Sequence, residues 1–242
     1  MNATWRGWSR LEAPKIGLGA GPWLDLSQPL YPEMPRIDFF PPPRYEQIIR
    51  RPQKPLNVTE IQMVCHVGTH VDAPVHFIAD GPAMDEIPLE RFYGPGVVWR
   101  IRPEPFAVIE PEDLRGLKPP LRPGDILILD AGWWEYFAQD RYNEHYSLSP
   151  AAAQWLVEQQ VKLVGVDCGT VDLPTRKRQE GFNWPTHHVL LSNGVLVAEH
   201  LTNLRSLAGS RMEAMFLPLC IKGADGAPAR VVARGVSASS TS

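Results

Sequence analysis

Proline constrains this chain before anything else does. It supplies 25 of the 242 residues, and each one fixes φ and removes a backbone donor. Such a density disfavours a bundle of long helices and predicts many fixed turns between short strands. The candidate strands fit that expectation. "VVWRIR" (Val97–Arg102) and "DILILD" (Asp125–Asp130) are rich in apolar and β-branched residues and read as buried strands. "VKLVGVD" (Val161–Asp167), "VLVAEH" (Val195–His200), "MFLPLC" (Met215–Cys220) and "ARVVARGV" (Ala229–Val236) make the second half strand-rich. One helix stands out. "SPAAAQWLVEQQ" (Ser149–Gln160) opens on a serine N-cap, places proline at the first helical position and continues with strong helix formers. Upstream, "WLDLSQPLYPEMPRIDFFPPP" (Trp23–Pro43) reads as one edge strand that breaks on prolines into a loop. The balance is mixed α/β, with more strand than helix.

A chain of this length can bury a sizeable core as a single domain, and no internal repeat or linker marks a second one. Apolar residues make up 44% and charged residues 21%, the profile of a soluble globular protein. With a net charge of −3 and a pI near 6.2, nothing points to a nucleic-acid or anionic-membrane partner. The one basic cluster, "TRKRQ" (Thr175–Gln179), is short and isolated and reads as a solvated loop. No run approaches the ~18 apolar residues that cross a bilayer, and no signal-like segment opens the chain, so the expected compartment is the cytoplasm. Cys65, Cys168 and Cys220 are odd in number and lack CxxC spacing, against a disulfide framework or a thiolate zinc site. Cys65 and Cys168 are expected to be small buried hydrophobes. Residues 1–21 are expected to form an N-terminal arm, 22–236 the domain, and "SASSTS" (237–242) a disordered tail.

The chemistry concentrates in "CHVGTHVDAPVHFIA" (Cys65–Ala79), where His66, His70 and His76 fall within eleven residues and Asp72 lies between the last two. On an ideal strand, positions four apart are separated by about 13 Å, too far for two imidazoles to share one ion. On a helix, His66 and His70 would meet but Asp72 would point elsewhere. Gly68 offers a way out by permitting a tight bend, and the Thr69 hydroxyl can satisfy a freed backbone group. Beyond the bend His70 and Asp72 share one side of an extended segment. Pro74 then turns the chain, and His76 can return to the same cavity without being a ligand. The expected product is a metal site of His66, His70 and Asp72, with His76 free for proton transfer. The competing reading is a surface turn of satisfied polar residues; three imidazoles and a carboxylate around one glycine favour the site. A second half-site lies in "WPTHHVLLSNGVLVAEHL" (Trp184–Leu201), which offers His187, His188, His200 and Glu199. Alone, these read more readily as surface or packing residues. With Asp72 bridging, they could complete a two-ion site, whose ions lie about 3.5–4 Å apart.

"HVGTHVDAPVHF" resembles the H-x-G-T-H-x-D-x-P-x-H-F signature of the cyclase-like metal-dependent hydrolases, which include bacterial kynurenine formamidase and isatin hydrolase. "DLSQPLYPEMP" (Asp25–Pro35), "GVDCGTVD" (Gly165–Asp172) and "PTHHVLLSNGVLVAEHL" (Pro185–Leu201) are similar to further stretches of that family. The resemblance implies a strand-rich swivelling β/β/α domain with the site at one end of a sheet. It selects His187 over His188, places His66, His70 and Asp72 on one divalent ion and Asp72, His187 and Glu199 on a second, and makes His76 the proton-transfer residue. One or two ions per chain are implied, zinc the first choice and manganese the second. The implied reaction is hydrolysis of an amide, formamide or lactam C–N bond in a small aromatic molecule by a homo-oligomer, dimer or tetramer. Lactone hydrolysis, a cyclisation or dehydration on the same scaffold, and a metal-retaining binding protein without turnover are the rivals. Two departures, His200 in place of a common asparagine and "DAGWW" (Asp130–Trp134) in place of a threonine before glycine–tryptophan, bear on the substrate side. Phe77, Trp133 and Asp172 are the candidate substrate-side residues; Phe77 is weighed evenly against core packing, Trp133 reads more readily as core, and Asp172 is weighed between binding a substrate amine and bracing its own loop, the latter preferred.

Overall fold

The computed structural model describes residues 3–9, 21–37 and 39–236; the expected tail and much of the expected N-terminal arm lie outside the described residues. The first half carries β1 (Leu24–Asp25), β2 (Arg44–Ile49), β3 (Val58–Gln62), β4 (His70–Asp72) and β5 (Tyr93–Arg100). Next come β6 (Val108–Ile109), α1 (Pro111–Leu114), β7 (Ile126–Asp130), β8 (Ser147–Leu148), α2 (Pro150–Glu158) and β9 (Leu163–Val166). The chain ends with α3 (Pro185–Ser192), β10 (Leu196–Glu199), β11 (Ser210–Pro218) and β12 (Gly226–Gly235).

Seven strands pair in the order β12-β11-β5-β7-β9-β10-β4, and β4 pairs back onto β12, so the sheet closes on itself. β1 adds to the edge of β12, while β2–β3 and β6–β8 form small separate sheets. The run β5, β7, β9 and β10 is parallel, and β7, β9 and β10 are short apolar segments buried along their length, as parallel strands covered on both faces require. Strand alternation divides the core in two. Ile126, Ile128, Leu163, Leu196 and Phe216 point into one cluster inside the closed sheet. Leu127, Leu129, Val164 and Val166 point into the other, against Leu156 of α2 and Leu190 of α3. This is the strand-rich, single α/β domain that the resemblance implies.

The helix expected from Ser149 forms as read, with the Ser149 hydroxyl accepting from the Ala152 N–H at 3.0 Å. Part of the expected arm packs onto the body: the Trp5 N–H donates to Asp80 and the Arg6 N–H to the Ser192 carbonyl. The strand expected from Met215 to Cys220 begins earlier and ends sooner, at Ser210–Pro218. Arg211 and Glu213 hide its start, because each looks like a loop residue yet is paired across the sheet, to Asp125 and Arg234 at 2.6 Å. Cys168 is buried, Cys65 is half-buried and Cys220 is exposed, all unpaired. No helix among the described residues is long and apolar enough to cross a membrane.

Candidate metal centre

Strand register assembles the histidine motif. β4 lies between β10 and β12, which sets Glu199 beside His70 and Gly226 beside Asp72. The residue preceding β12, Asp225, is thereby delivered to the same end of the sheet, and its carbonyl accepts from the Ala73 N–H at 2.9 Å. Upstream of β4, Gly68 takes a left-handed conformation with φ at 68° and bends His66 back toward the strand. The Thr69 hydroxyl pins the bend, donating to the His200 carbonyl at 2.7 Å and accepting from the Gln28 N–H at 2.8 Å. A short 3-10 turn over Pro74–His76 then returns His76 to the cluster. A Cβ on Gly68 would lie 2.5 Å from Leu30 Cδ2 and 2.8 Å from Met34 Cε. Gly68→Ala is therefore expected to lower stability by about 1–2 kcal/mol for the left-handed backbone alone, a shift of roughly 3–6 °C in a thermal melt.

Asp72 is 1% exposed and faces three imidazoles. Its Oδ1 lies 2.8 Å from His66 Nδ1 and 3.2 Å from His70 Nε2, and its Oδ2 lies 3.3 Å from His187 Nε2. Glu199 closes the arrangement, 3.5 Å from His70 Nε2 and 3.2 Å from His187 Nε2. Each of the three rings has its other nitrogen held from outside. His70 Nδ1 donates to the Gly68 carbonyl at 2.7 Å, His187 Nδ1 to Asp172 at 2.6 Å, and His66 Nε2 faces Asp225 at 3.0 Å. An inner nitrogen aimed at the centre and an outer N–H fixed by an acceptor is how metal-binding imidazoles are oriented. Donor atoms of His66, His70 and Asp72 fall within 4.8 Å of one another, as do those of Asp72, His187 and Glu199, and those of His66, His76 and Asp225.

The electrostatics follow from one buried carboxylate among several rings. Burial pushes Asp72 up, but His70, His187 and His66 outweigh it and hold the carboxyl well below its usual range. Burial opposes charge on His66, yet Asp225 and Asp72 raise it to about 10. His187 is raised for the same reason, by Asp172, Asp72 and Glu199 against its burial. The cluster thus calls for positive charge at its centre. A divalent cation fits that demand, on one observation in particular. His70 Nε2 is buried without a hydrogen-bond partner, and because Nδ1 is committed to Gly68, a neutral ring aims its lone pair at two carboxylates. Lone pair facing lone pair is repulsive unless a cation lies between.

The other expected residues separate cleanly. Phe77 is half-buried beside the cluster, its ring 4.8 Å from His187 and 6.0 Å from Trp184. Asp172, weighed between a substrate amine and bracing with bracing preferred, is spent on orientation: besides His187 Nδ1 it accepts the backbone N–H groups of Thr186 and His187 at the start of α3. Trp133 is not brought to the cluster. It is 3% exposed in the core, its ring N–H donating to the Tyr142 carbonyl at 3.1 Å and its backbone N–H to Asp167. His188 stays outside the donor sets, its ring 5.4 Å from Phe77. His200 is buried 5.8 Å from the His70 ring, with Tyr142 Oη 2.8 Å from its Nδ1; burial, with His70 and His145, pushes it down to about 3. Two residues were invisible to sequence reasoning. Asp225 also faces His76 Nδ1 at 3.3 Å, and only the pairing of β12 with β4 reveals it. Arg178, expected in a solvated loop, is half-buried over the Trp184 and Phe182 rings.

Residues 24–173 match the model of the Cyclase family. The chain is similar to kynurenine formamidase of Bordetella petrii, 35% identical over 76% of this chain and 83% of that protein. It is also similar to kynurenine formamidase of Geobacillus thermodenitrificans, 30% identical over 88% of this chain and 97% of that protein. Among solved structures, isatin hydrolase A from Labrenzia aggregata bound to benzyl benzoate superposes with a TM-score of 0.81, at 25% identity, over 89% of this chain and 94% of that one.

Proposed function

Since this chain belongs to the Cyclase family of metal-dependent hydrolases, we propose that it hydrolyses amide-type C–N bonds of small aromatic molecules, formamides and lactams foremost. The observation that carries this reading is Asp72, a buried carboxylate shared by two overlapping sets of metal-binding donors. His66, His70 and Asp72 would hold one ion and Asp72, His187 and Glu199 a second. Imidazole with carboxylate suits zinc first and manganese second. When bound, such an ion lowers the pKa of a ligating water toward neutrality and polarises a carbonyl.

The chain's own groups do the rest. His76 stacks on His66 at 3.9 Å, and its Nδ1 is held by Asp225. Its Nε2 has no partner among the described residues and is free to take a proton from the attacking water. As the water oxygen bonds to the carbonyl carbon and the C–N bond breaks, that proton passes to the departing nitrogen. An aryl formamide gives formate and an aryl amine; a lactam opens to an amino acid. Phe77 and Trp184 offer an aromatic wall for the ring of such a substrate. The names of the relatives, formamidase and isatin hydrolase, support the same two substrate types.

Zinc- and manganese-loaded protein should release formate from an aryl formamide or open isatin, lose that activity on dialysis against a chelator, and regain it with the ion. Turnover of an aryl lactone alone would move the reading to C–O bonds. Absence of turnover on all three substrates, with metal bound, would overturn it.

A further inference from the structure

His76 and Asp225 meet at the mouth of the cluster, outside the two donor sets that share Asp72. Asp225 Oδ2 lies 3.0 Å from His66 Nε2 and 3.3 Å from His76 Nδ1, and the two rings stack with centroids 3.9 Å apart. The other oxygen, Oδ1, has no hydrogen-bond partner among the described residues. The backbone around Asp225 is pinned. Met84 N–H donates to the Ala224 carbonyl at 2.9 Å, and Gly223 N–H to the Asp85 carboxylate at 2.8 Å. Gly226 then permits a close approach, since a Cβ there would lie 2.6 Å from the His66 ring. Donors so placed suit a small cation. Zinc with bonds of about 2.0–2.1 Å in a tetrahedron puts neighbouring donors roughly 3.3 Å apart, close to both separations here. What distinguishes this set is its openness. The Asp72 and Glu199 side chains are 1% and 7% exposed, whereas those of Asp225 and His76 are 50% and 24% exposed.

We propose that His76 Nδ1 and Asp225 form an outer, exchangeable zinc site, and that its occupation switches hydrolysis off. Water completes the shell, and the His66 N–H, turned to the same carboxylate, braces it. The switch follows from the tautomer of His76. With Nδ1–H donated to Asp225, the ring presents Nε2 as a base. With Nδ1 on an ion, the ring's one hydrogen sits on Nε2, and no lone pair is left for the proton of the attacking water. No proton is gained or lost overall; it changes nitrogens. The effect on turnover rests on the hydrolytic reading of the cluster, whereas the binding of the outer ion does not. An imidazole donor favours zinc over manganese here, and magnesium, which keeps to oxygen donors and its own waters, is a poor occupant. Zinc should therefore activate when it fills the inner donors and inhibit in excess, while excess manganese is better tolerated.

The test takes full-length protein loaded with zinc, dialyses away weakly held ions, and titrates zinc back. Bound metal is counted by equilibrium dialysis while turnover of an aryl formamide is followed in parallel. One additional ion per chain is expected. As it binds, kcat should fall by ~10²–10⁴-fold, the contribution of the general base it occupies, with KM little changed. His76→Ala should retain the dialysis-stable ions and lose the additional one. Asp225→Asn, which keeps the shape and removes the anion, should move binding of the additional ion to roughly 10–100-fold higher zinc. The absence of an additional ion would overturn the proposal, as would its binding equally well to His76→Ala. So would an unchanged kcat once that ion is bound. Should the dialysed, zinc-loaded protein turn over no formamide at all, the hydrolytic reading fails on its own. The metal count with and without His76 then still decides the outer site.

Discussion

Asp72→Ala is expected to reduce turnover by at least ~10³-fold, the several kcal/mol that a bound ion contributes to transition-state charge, and to leave the protein unable to retain metal through dialysis. The size follows from position. Among the described residues Asp72 is the one acceptor common to His66, His70 and His187, so its removal dismantles both overlapping donor sets together. Glu199 remains beside His70 and His187, but a single carboxylate on one side cannot hold both sets. Asp72→Asn separates charge from shape, since it keeps the side-chain volume and removes the anion. In metal-free protein it should also flatten one arm of the pH–stability profile. His66 binds its proton more tightly folded, at about 10, than at its ordinary value of 6.5. Its stabilisation is therefore complete below pH 6.5 and is lost as the pH rises through about 10. Asp72→Asn removes one of the two carboxylates that raise it, and its melting temperature should fall less steeply over that window. Elemental analysis with thermal melts from pH 6 to pH 10 checks both parts. An Asp72→Ala protein that keeps stoichiometric metal would end the case for a shared carboxylate.

How much of this was legible in the sequence depended on how local each cause was. The Gly68 bend was readable because one residue without a Cβ, between two histidines, needs only a positive φ to close the spacing. The α2 cap was readable for the same reason, its donor and acceptor lying three residues apart. Parallel strands such as Ile126–Asp130 announced themselves as apolar runs. The hairpin of Arg44–Ile49 with Val58–Gln62 did not, because its residues are largely exposed and carry charges. Asp225 was hidden by distance along the chain: it faces His76 from 149 residues away, across a pairing that no periodicity encodes. Trp133 stayed divided between core, the preferred reading, and pocket, because an aromatic beside a glycine looks the same in either, and only its two buried hydrogen bonds tell them apart. Arg178 was misread. A basic run looks solvated until the aromatic rings beneath it are folded into place.

His76→Ala is expected to keep its metal and lose kcat by ~10²–10⁴-fold, the usual worth of a positioned general acid–base. The separation of the two effects rests on geometry. His76 is not among the donors gathered around Asp72, and its removal leaves those contacts intact. It does share Asp225 with His66, which makes Asp225→Asn the informative companion. If Asp225 acts only by holding His66, its replacement weakens metal affinity by about 10–100-fold and the loss disappears at saturating metal. If it also fixes the His76 ring through Nδ1, a deficit in kcat persists at saturating metal, and added imidazole rescues His76→Ala but not Asp225→Asn. We expect the second pattern, because His76 Nδ1 has no other acceptor among the described residues, and stacking on His66 sets the plane of the ring without deciding which nitrogen faces Asp225. Metal titrations paired with kcat at saturation separate the two. A His76→Ala protein with near-normal turnover would remove His76 from proton transfer and leave it as a ring stacked on His66.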